Sequence, residues 1–219
     1  IDENPLFYDT YNDDYRIISN SPCVDVGNND ANNQSYDVRG EGYARIQNST
    51  IDIGAYEYKS GTDPHYALAT WSGASSSDWD TYSNWLNSSV PTQYHNVTIP
   101  DVTNDPEIAE NTEADCYSLN LNSGASLTLK SSETGTGSLI ATSTTINGSF
   151  TVERYLVDGC WHLVAPSTDG VTASDFFWDD SPMSWLASHS EASNDWTYNT
   201  DLSTPMNLRQ GWSVWIDAD

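Results

Sequence analysis

Hard oxygen donors crowd one loop of this sequence, from Asp25 to Asn33, where Asp25, Asn28 and Asp30 alternate with Gly27 and further asparagines. Calcium takes about six to eight such oxygens, so these three residues are the first candidates for a metal site. The loop lacks the glycine and the closing glutamate of an EF-hand, and it reads equally well as a solvated Asx turn. Asp175, with Asp179 and Asp180, is the second place where calcium could sit. Nine tryptophans form the other chemical resource. An aromatic face is a broad apolar plate with a polar rim, on which a neutral sugar ring can stack. Trp178, Trp185 and Trp196 lie among Asp, Ser and Asn and are the candidates for an exposed glycan-binding cluster. His65, His95, His162 and His189 have no nucleophile-elbow sequence near any serine, so no Ser-His-Asp chemistry is expected. Cys23, Cys116 and Cys160 are far apart without metal-type spacing; they allow at most one disulfide and read best as small buried residues.

The elements that must position these residues are strands. Ser, Thr and Asn total 69 of 219 residues, and their side chains compete for backbone hydrogen bonds in a way that favours strands, turns and loops over helices. Leu, Ile, Val and Phe total only 39, which together with a net charge of -25 carries the compositional signature of disorder. The nine Trp and thirteen Tyr argue the other way, because they supply large apolar area on few rotatable bonds. Seven basic residues against 32 acidic ones exclude a grip on nucleic acid and disfavour an anionic membrane surface. No apolar run approaches the roughly 20 residues that span a bilayer. The acidity is spread evenly along the chain, as suits solubility and tolerance of salt and divalent cations.

Short alternating runs recur along the chain. Tyr15 to Ile18, Cys23 to Val26 and Ile51 to Tyr58 read as strands, the last with Ile51, Ile53, Ala55 and Glu57 on one face. Residues 61–69 read as a linker with Gly and Pro punctuation. Asn96 to Ile99, two leucine pairs flanking Asn122-Ser123-Gly124, Ser138 to Ile140 and Ser149 to Val152 follow at the spacing of a hairpin meander or of solenoid coils. A third section contains Trp161 to Pro166, Asp195 to Tyr198 and the alternating run ending at Ile216. One short helical turn is expected near Ala173 to Trp178, capped by Ser174 or Asp175. The segments therefore divide as 1–60, linker 61–69, 70–153 and 154–219. The chain ends, from Ile1 and to Asp219, read as cuts within a longer polypeptide.

Asn4-Pro5-Leu6-Phe7, then Tyr15 to Gly27, then Ile51-Asp52-Ile53-Gly54-Ala55-Tyr56-Glu57 resemble the closing coils of right-handed parallel β-helix proteins secreted by bacteria. The stretch from Thr70 through Trp71, Trp79, Trp85 and Val97-Thr98-Ile99-Pro100 is similar to a module of large Bacteroidetes surface proteins, as is the stretch from Phe150 through Trp161 to Trp215. The resemblance implies an all-β chain: the end of a right-handed parallel β-helix followed by β-solenoid or β-sandwich-like modules. It places Trp71, Trp79, Trp85, Trp161, Trp212 and Trp215 in the framework, hence in the core. It also implies export, through type IX secretion machinery, to the extracellular or outer-membrane surface of a bacterium.

Enzymatic β-helices set carboxylates along a groove of many coils, and Asp25, Asp37 and Asp52 are the residues that could line one here; Asp-x-Gly and Asp-Ile-Gly suit turns more simply. The expected function is a non-catalytic segment of a secreted surface protein, an adhesin, glycan contact or stalk whose partners are extracellular polysaccharide or cell-surface components. The alternatives are an accessory portion of a polysaccharide-degrading β-helix enzyme and cargo of the secretion apparatus.

Overall fold

Leucines and valines alternate with Ser, Thr and Asn in residues 67–152, and the chain folds there so that buried apolar residues such as Ala69, Val97 and Leu119 stack one coil on the next. The structure is a computed structural model describing residues 2–166, 168–176, 185–199, 201–208 and 210–216, with the side chain of Trp185 excluded. Phe7–Asp9 (β1) and Asp14–Ile17 (β2) pair antiparallel. Ala67–Thr70 (β3), His95–Ile99 (β4), Glu107–Ile108 (β5), Glu113–Leu121 (β6) and Ser126–Leu129 (β7) follow. Ser131–Ser132 (β8) and Gly135–Thr136 (β9) form a minimal ladder before Ser138–Ile146 (β10) and Ser149–Val152 (β11). The last four strands are Cys160–Val164 (β12), Trp185–Ser190 (β13), Asp195–Asn199 (β14) and Trp212–Ile216 (β15). The described residues contain no α-helix, only four single 3-10 turns.

The long sheet runs β10-β6-β4-β3 with every neighbouring pair parallel, and the short sheet runs β11-β7-β5. Together they make a solenoid-like stack of about three turns, in which Ala69 faces Val97, Val97 faces Leu119 and Ile99 faces Leu121. Those residues are buried while Asn96, Thr98 and Asn120 between them are partly exposed, which is the period-two pattern of strands with one face in the core. Across the outer face the Ser118 hydroxyl donates to Asn96 Oδ1 at 2.6 Å. The coils come close at their corners. A Cβ on Gly148 would lie 2.2 Å from the carbonyl oxygen of Ala125, and one on Gly137 would lie 2.5 Å from that of Ile108, so only glycine allows this approach.

Trp71, Trp79 and Trp85 close the start of the stack. Trp85 meets Trp79 edge-on at 4.7 Å and Trp71 at 5.0 Å, and all three are almost wholly buried. Asn84, 0% exposed, holds the loop above them. Its Oδ1 accepts the N–H groups of Ser75 and Ser76, and its amide donates to the Asp78 carbonyl at 2.8 Å.

Parallel coils occupy residues 67–152 and not the first sixty. Residues 2–63 contribute the β1–β2 hairpin and a run of turns. The expected strands at Cys23 to Val26 and Ile51 to Tyr58 are absent, and Ile53 is 42% exposed where Asp52 and Glu57 are buried. Carboxylates take the backbone N–H groups here, leaving no ladder to form. β3 begins inside the stretch read as a linker.

Two compact units are present, one of residues 1–129 and 137–151, the other of 130–136 and 152–219. The second is an antiparallel sheet ordered β12-β15-β13-β14. Leu186, Trp212 and Val214 bury one of its faces together with Ala173 and Met206. The helical turn is a 3-10 turn at Ala173–Asp175 whose N-cap is Thr172; Asp175 completes a capping box instead of starting the turn.

Candidate functional site

The acidic residues of the first segment converge on two arginines. Asp37-Val38-Arg39 makes a tight turn in which Arg39 Nε donates to its own neighbour Asp37 at 2.9 Å and Nη1 reaches Asp63 at 2.7 Å. The Asp37 and Asp63 side chains are 0% and 1% exposed. Arg39 also donates to the Glu57 carbonyl and lies 3.9 Å above the Tyr43 ring. Asp37 accepts the N–H of Glu57 and Asp63 that of Lys59, so each carboxylate ties backbone as well as guanidinium. Arg45 repeats the arrangement, with Nη1 3.1 Å from Glu57 Oε2 and Nη2 on the carbonyls of Asp52 and Gly54. Asp52 accepts the N–H groups of Asp25 and Tyr58, and Glu57 those of Gln47 and Asp52. This set braces irregular backbone. Asp37 and Asp52 are enclosed and committed to it, not spread along an open groove as the catalytic reading required.

Asp25, Asp52 and Glu57 each place one carboxylate oxygen within 4.8 Å of the others, and Asp25 Oδ1 is buried with no hydrogen-bond partner. Asp25 is thus grouped with Asp52 and Glu57. Asn28 Oδ1 accepts the Asp30 N–H and caps the turn Asn29–Ala31, and both residues are exposed. Asp175 is in its capping box, 2.7 Å from the Thr172 N–H. Asp179, Asp180 and Trp178 lie outside the described residues.

Burial pushes the Asp52 and Glu57 carboxyls above their ordinary range, with the neighbouring negative charge adding to it. For Asp37, burial opposes ionisation, but the bonds from Arg39 and the Glu57 N–H outweigh it and hold the carboxyl low; the Arg16 hydrogen bond does the same for Asp14. An acid whose pKa rises on folding contributes stability below its unfolded value, 3.8 for Asp52 and 4.5 for Glu57, and loses it as pH climbs through the folded value. An acid held low contributes above its unfolded value and loses that as pH falls. Melts at constant ionic strength are therefore expected to show a gain in stability as pH falls toward 4.5, the unfolded value of Glu57, and a loss as pH falls further below 3.8, the unfolded value of Asp14 and Asp37. A steady loss from pH 7 downward would refute the assignment. Calcium held by Asp25, Asp52 and Glu57 would keep the two buried acids ionised, raise the melting temperature at pH 7 and erase the gain on acidification. The same melts in calcium and in chelator distinguish cation from proton.

The second unit presents aromatic rings. Residues paired directly across strands share a face, so Trp161 and Trp215, Leu163 and Ser213, Ala187 and Tyr198, and His189 and Trp196 fall on the face opposite the core, as does the backbone position of Trp185. Trp161 is 48% exposed, Trp196 47% and Tyr198 54%. Trp161 meets Trp215 at 5.6 Å, and His189 lies 5.0 Å from Trp196. Of the six tryptophans expected in the core, Trp71, Trp79, Trp85 and Trp212 are buried, while Trp161 is exposed and Trp215 is half-buried. The reason is register: Cys160, His162 and Val164 take the other side of β12, putting Trp161 outward.

The chain is an all-β protein, with parallel solenoid-like coils and further sheets. Residues 70–155, which hold the tryptophan cluster and the coils, match the family described as a domain of unknown function (DUF8693). No curated protein and no solved structure matches the chain. Among the described residues no helix is long and apolar enough to cross a membrane.

Proposed function

We propose that this chain is a non-catalytic segment of a large secreted bacterial surface protein, a stalk of stacked coils that carries a glycan-contacting sheet. The observation behind it is the outward face of the β12-β15-β13-β14 sheet, where Trp161, Trp196 and Tyr198 stand exposed on a rigid antiparallel frame. Flat rings held on strands, with no excess of positive charge, suit neutral saccharides and not acidic polymers. The carboxylates support the same reading, because those buried in the first unit brace backbone. Export through type IX secretion machinery and attachment at the cell surface remain part of the proposal through the sequence resemblance alone.

The test is retention of the intact chain on an array of neutral and acidic polysaccharides. Retention on neutral polymers is expected, and W161A and W196A should each reduce it about tenfold or more while shifting stability by less than about 1 kcal/mol, as exposed positions do. Absence of retention, or loss only together with unfolding, would leave a spacer without glycan contact. Cleavage of any polymer by this chain would overturn the non-catalytic reading.

A further inference from the structure

The stack of coils is finished differently at its two ends. At the β3 end the inward residues are covered: Ala67 shares a buried cluster with Leu6 and Ile18, and Ala69 is 1% exposed. The Thr70 carbonyl at that end accepts the Leu86 N–H at 2.9 Å. At the other end β10 and β11 are the outermost strands of their sheets, and no strand or bridge pairs with the far side of either among the described residues. The inward residues of β10 lie opposite buried positions of β6 and are themselves open. Ile146, opposite the fully buried Leu121, is 42% exposed; Thr144, opposite Leu119, is exposed; Leu139 and Ala141 are half-buried. Ile140 adds a 54% exposed apolar side chain to the same strand. Natural sheets guard such an edge with charge, proline, a bulge or a cover, and the last coil of a solenoid normally carries a polar cap. This edge has no such guard: no charged residue and no proline occurs from Gly137 to Thr151, and β10 keeps one register with β6 from Ser138 to Ile146.

We infer that the last coil of the first unit is an interface for a second copy of this chain, met last coil to last coil with the two β10 edges antiparallel about a two-fold axis. Two observations select a second copy. Charge is the first. Each chain carries a net charge of -25, so two copies meet at least cost where carboxylates are sparse. The acids nearest this edge along the ladder, Glu113 and Asp115, stand on β6, one strand spacing of about 4.8 Å behind it. Symmetry is the second. The β3 end is covered, so a head-to-tail contact, which would grow into a filament, has no second edge to use, whereas like end on like end closes at two. The pairing joins two β10-β6-β4-β3 sheets into one and gives the unpaired backbone groups of β10 partners. This interface is separate from the aromatic face of the second unit and goes beyond the function proposed above.

The experiment is sedimentation equilibrium of the intact chain over a range of concentrations, at low and high salt, with amide hydrogen exchange of β10. A monomer–dimer equilibrium in the micromolar range is expected, with exchange of the β10 amides slowing as concentration rises. Salt should strengthen the dimer by screening the repulsion between two acidic chains. The double variant I140K/T145K places lysines on two exposed positions of the edge strand, and it should weaken association about tenfold or more while leaving the melting temperature of the dilute chain unchanged. W161A and W196A should leave association unchanged, and I140K/T145K should leave polymer retention unchanged, so the interface and the glycan reading fail independently. A chain that stays monomeric up to about 1 mM would overturn the inference, as would β10 amides protected in the monomer, which would mean that the chain covers this edge itself. Assembly beyond the dimer, or a dimer indifferent to I140K/T145K, would overturn it equally.

Discussion

Replacing Trp85 by alanine is expected to destabilise the first unit by about 3–5 kcal/mol, the range for emptying a large buried aromatic site. Trp85 is 1% exposed and contacts both of the other rings in its cluster, and its Nε1 donates to the Trp79 carbonyl at 2.9 Å. Removal therefore costs packing, two edge-to-face contacts and a buried carbonyl left without its donor. The surrounding loop cannot collapse into the space, because Asn84 pins it through four hydrogen bonds from its amide group. For a chain of this size that loss corresponds to a fall in melting temperature of roughly 6–20 °C for the first unit's transition. W85F should recover much of it. A loss for W85A below about 1 kcal/mol in denaturant unfolding would show that the cluster is not the anchor of the stack.

Arg39→Met is expected to cost about as much, about 3–5 kcal/mol, by a different route. Its partners Asp37 and Asp63 have no access to water through which to offset the lost cation, and both remain held by backbone N–H groups that favour the ionised form. Arg16, 3.5 Å from Asp63, covers only part of the deficit. R39K should rescue poorly. A lysine presents one point of charge, whereas Arg39 spans Asp37, Asp63 and the Glu57 carbonyl with a planar fork. Equilibrium unfolding at low and high salt checks this, since an enclosed pair is screened little while an exposed one loses most of its small contribution. A change under about 1 kcal/mol that vanishes in salt would reduce the brace to a surface pair.

Local pattern and composition were enough to determine the all-β class and the alternation at Leu119, Leu121, Leu127 and Leu129, because period-two burial and turn chemistry are properties of neighbours along the chain, whereas the burial of Trp71, Trp79 and Trp85 followed from the resemblance of their stretch to a known module. A trace of the brace was visible too. Four of the seven basic residues lie within the first 59 positions, and Asp14-Tyr15-Arg16 and Asp37-Val38-Arg39 share one spacing, which the structure turns into two-residue carboxylate–guanidinium clasps. Only the tertiary structure decided that Asp52 points inward while Ile53 faces solvent, since in a segment without a ladder a carboxylate follows the backbone N–H groups that need it and not an alternation rule. Register across β12 and β15 likewise put Trp161 on the outer face, a choice that composition cannot express because one residue's shift exchanges every side chain between core and solvent.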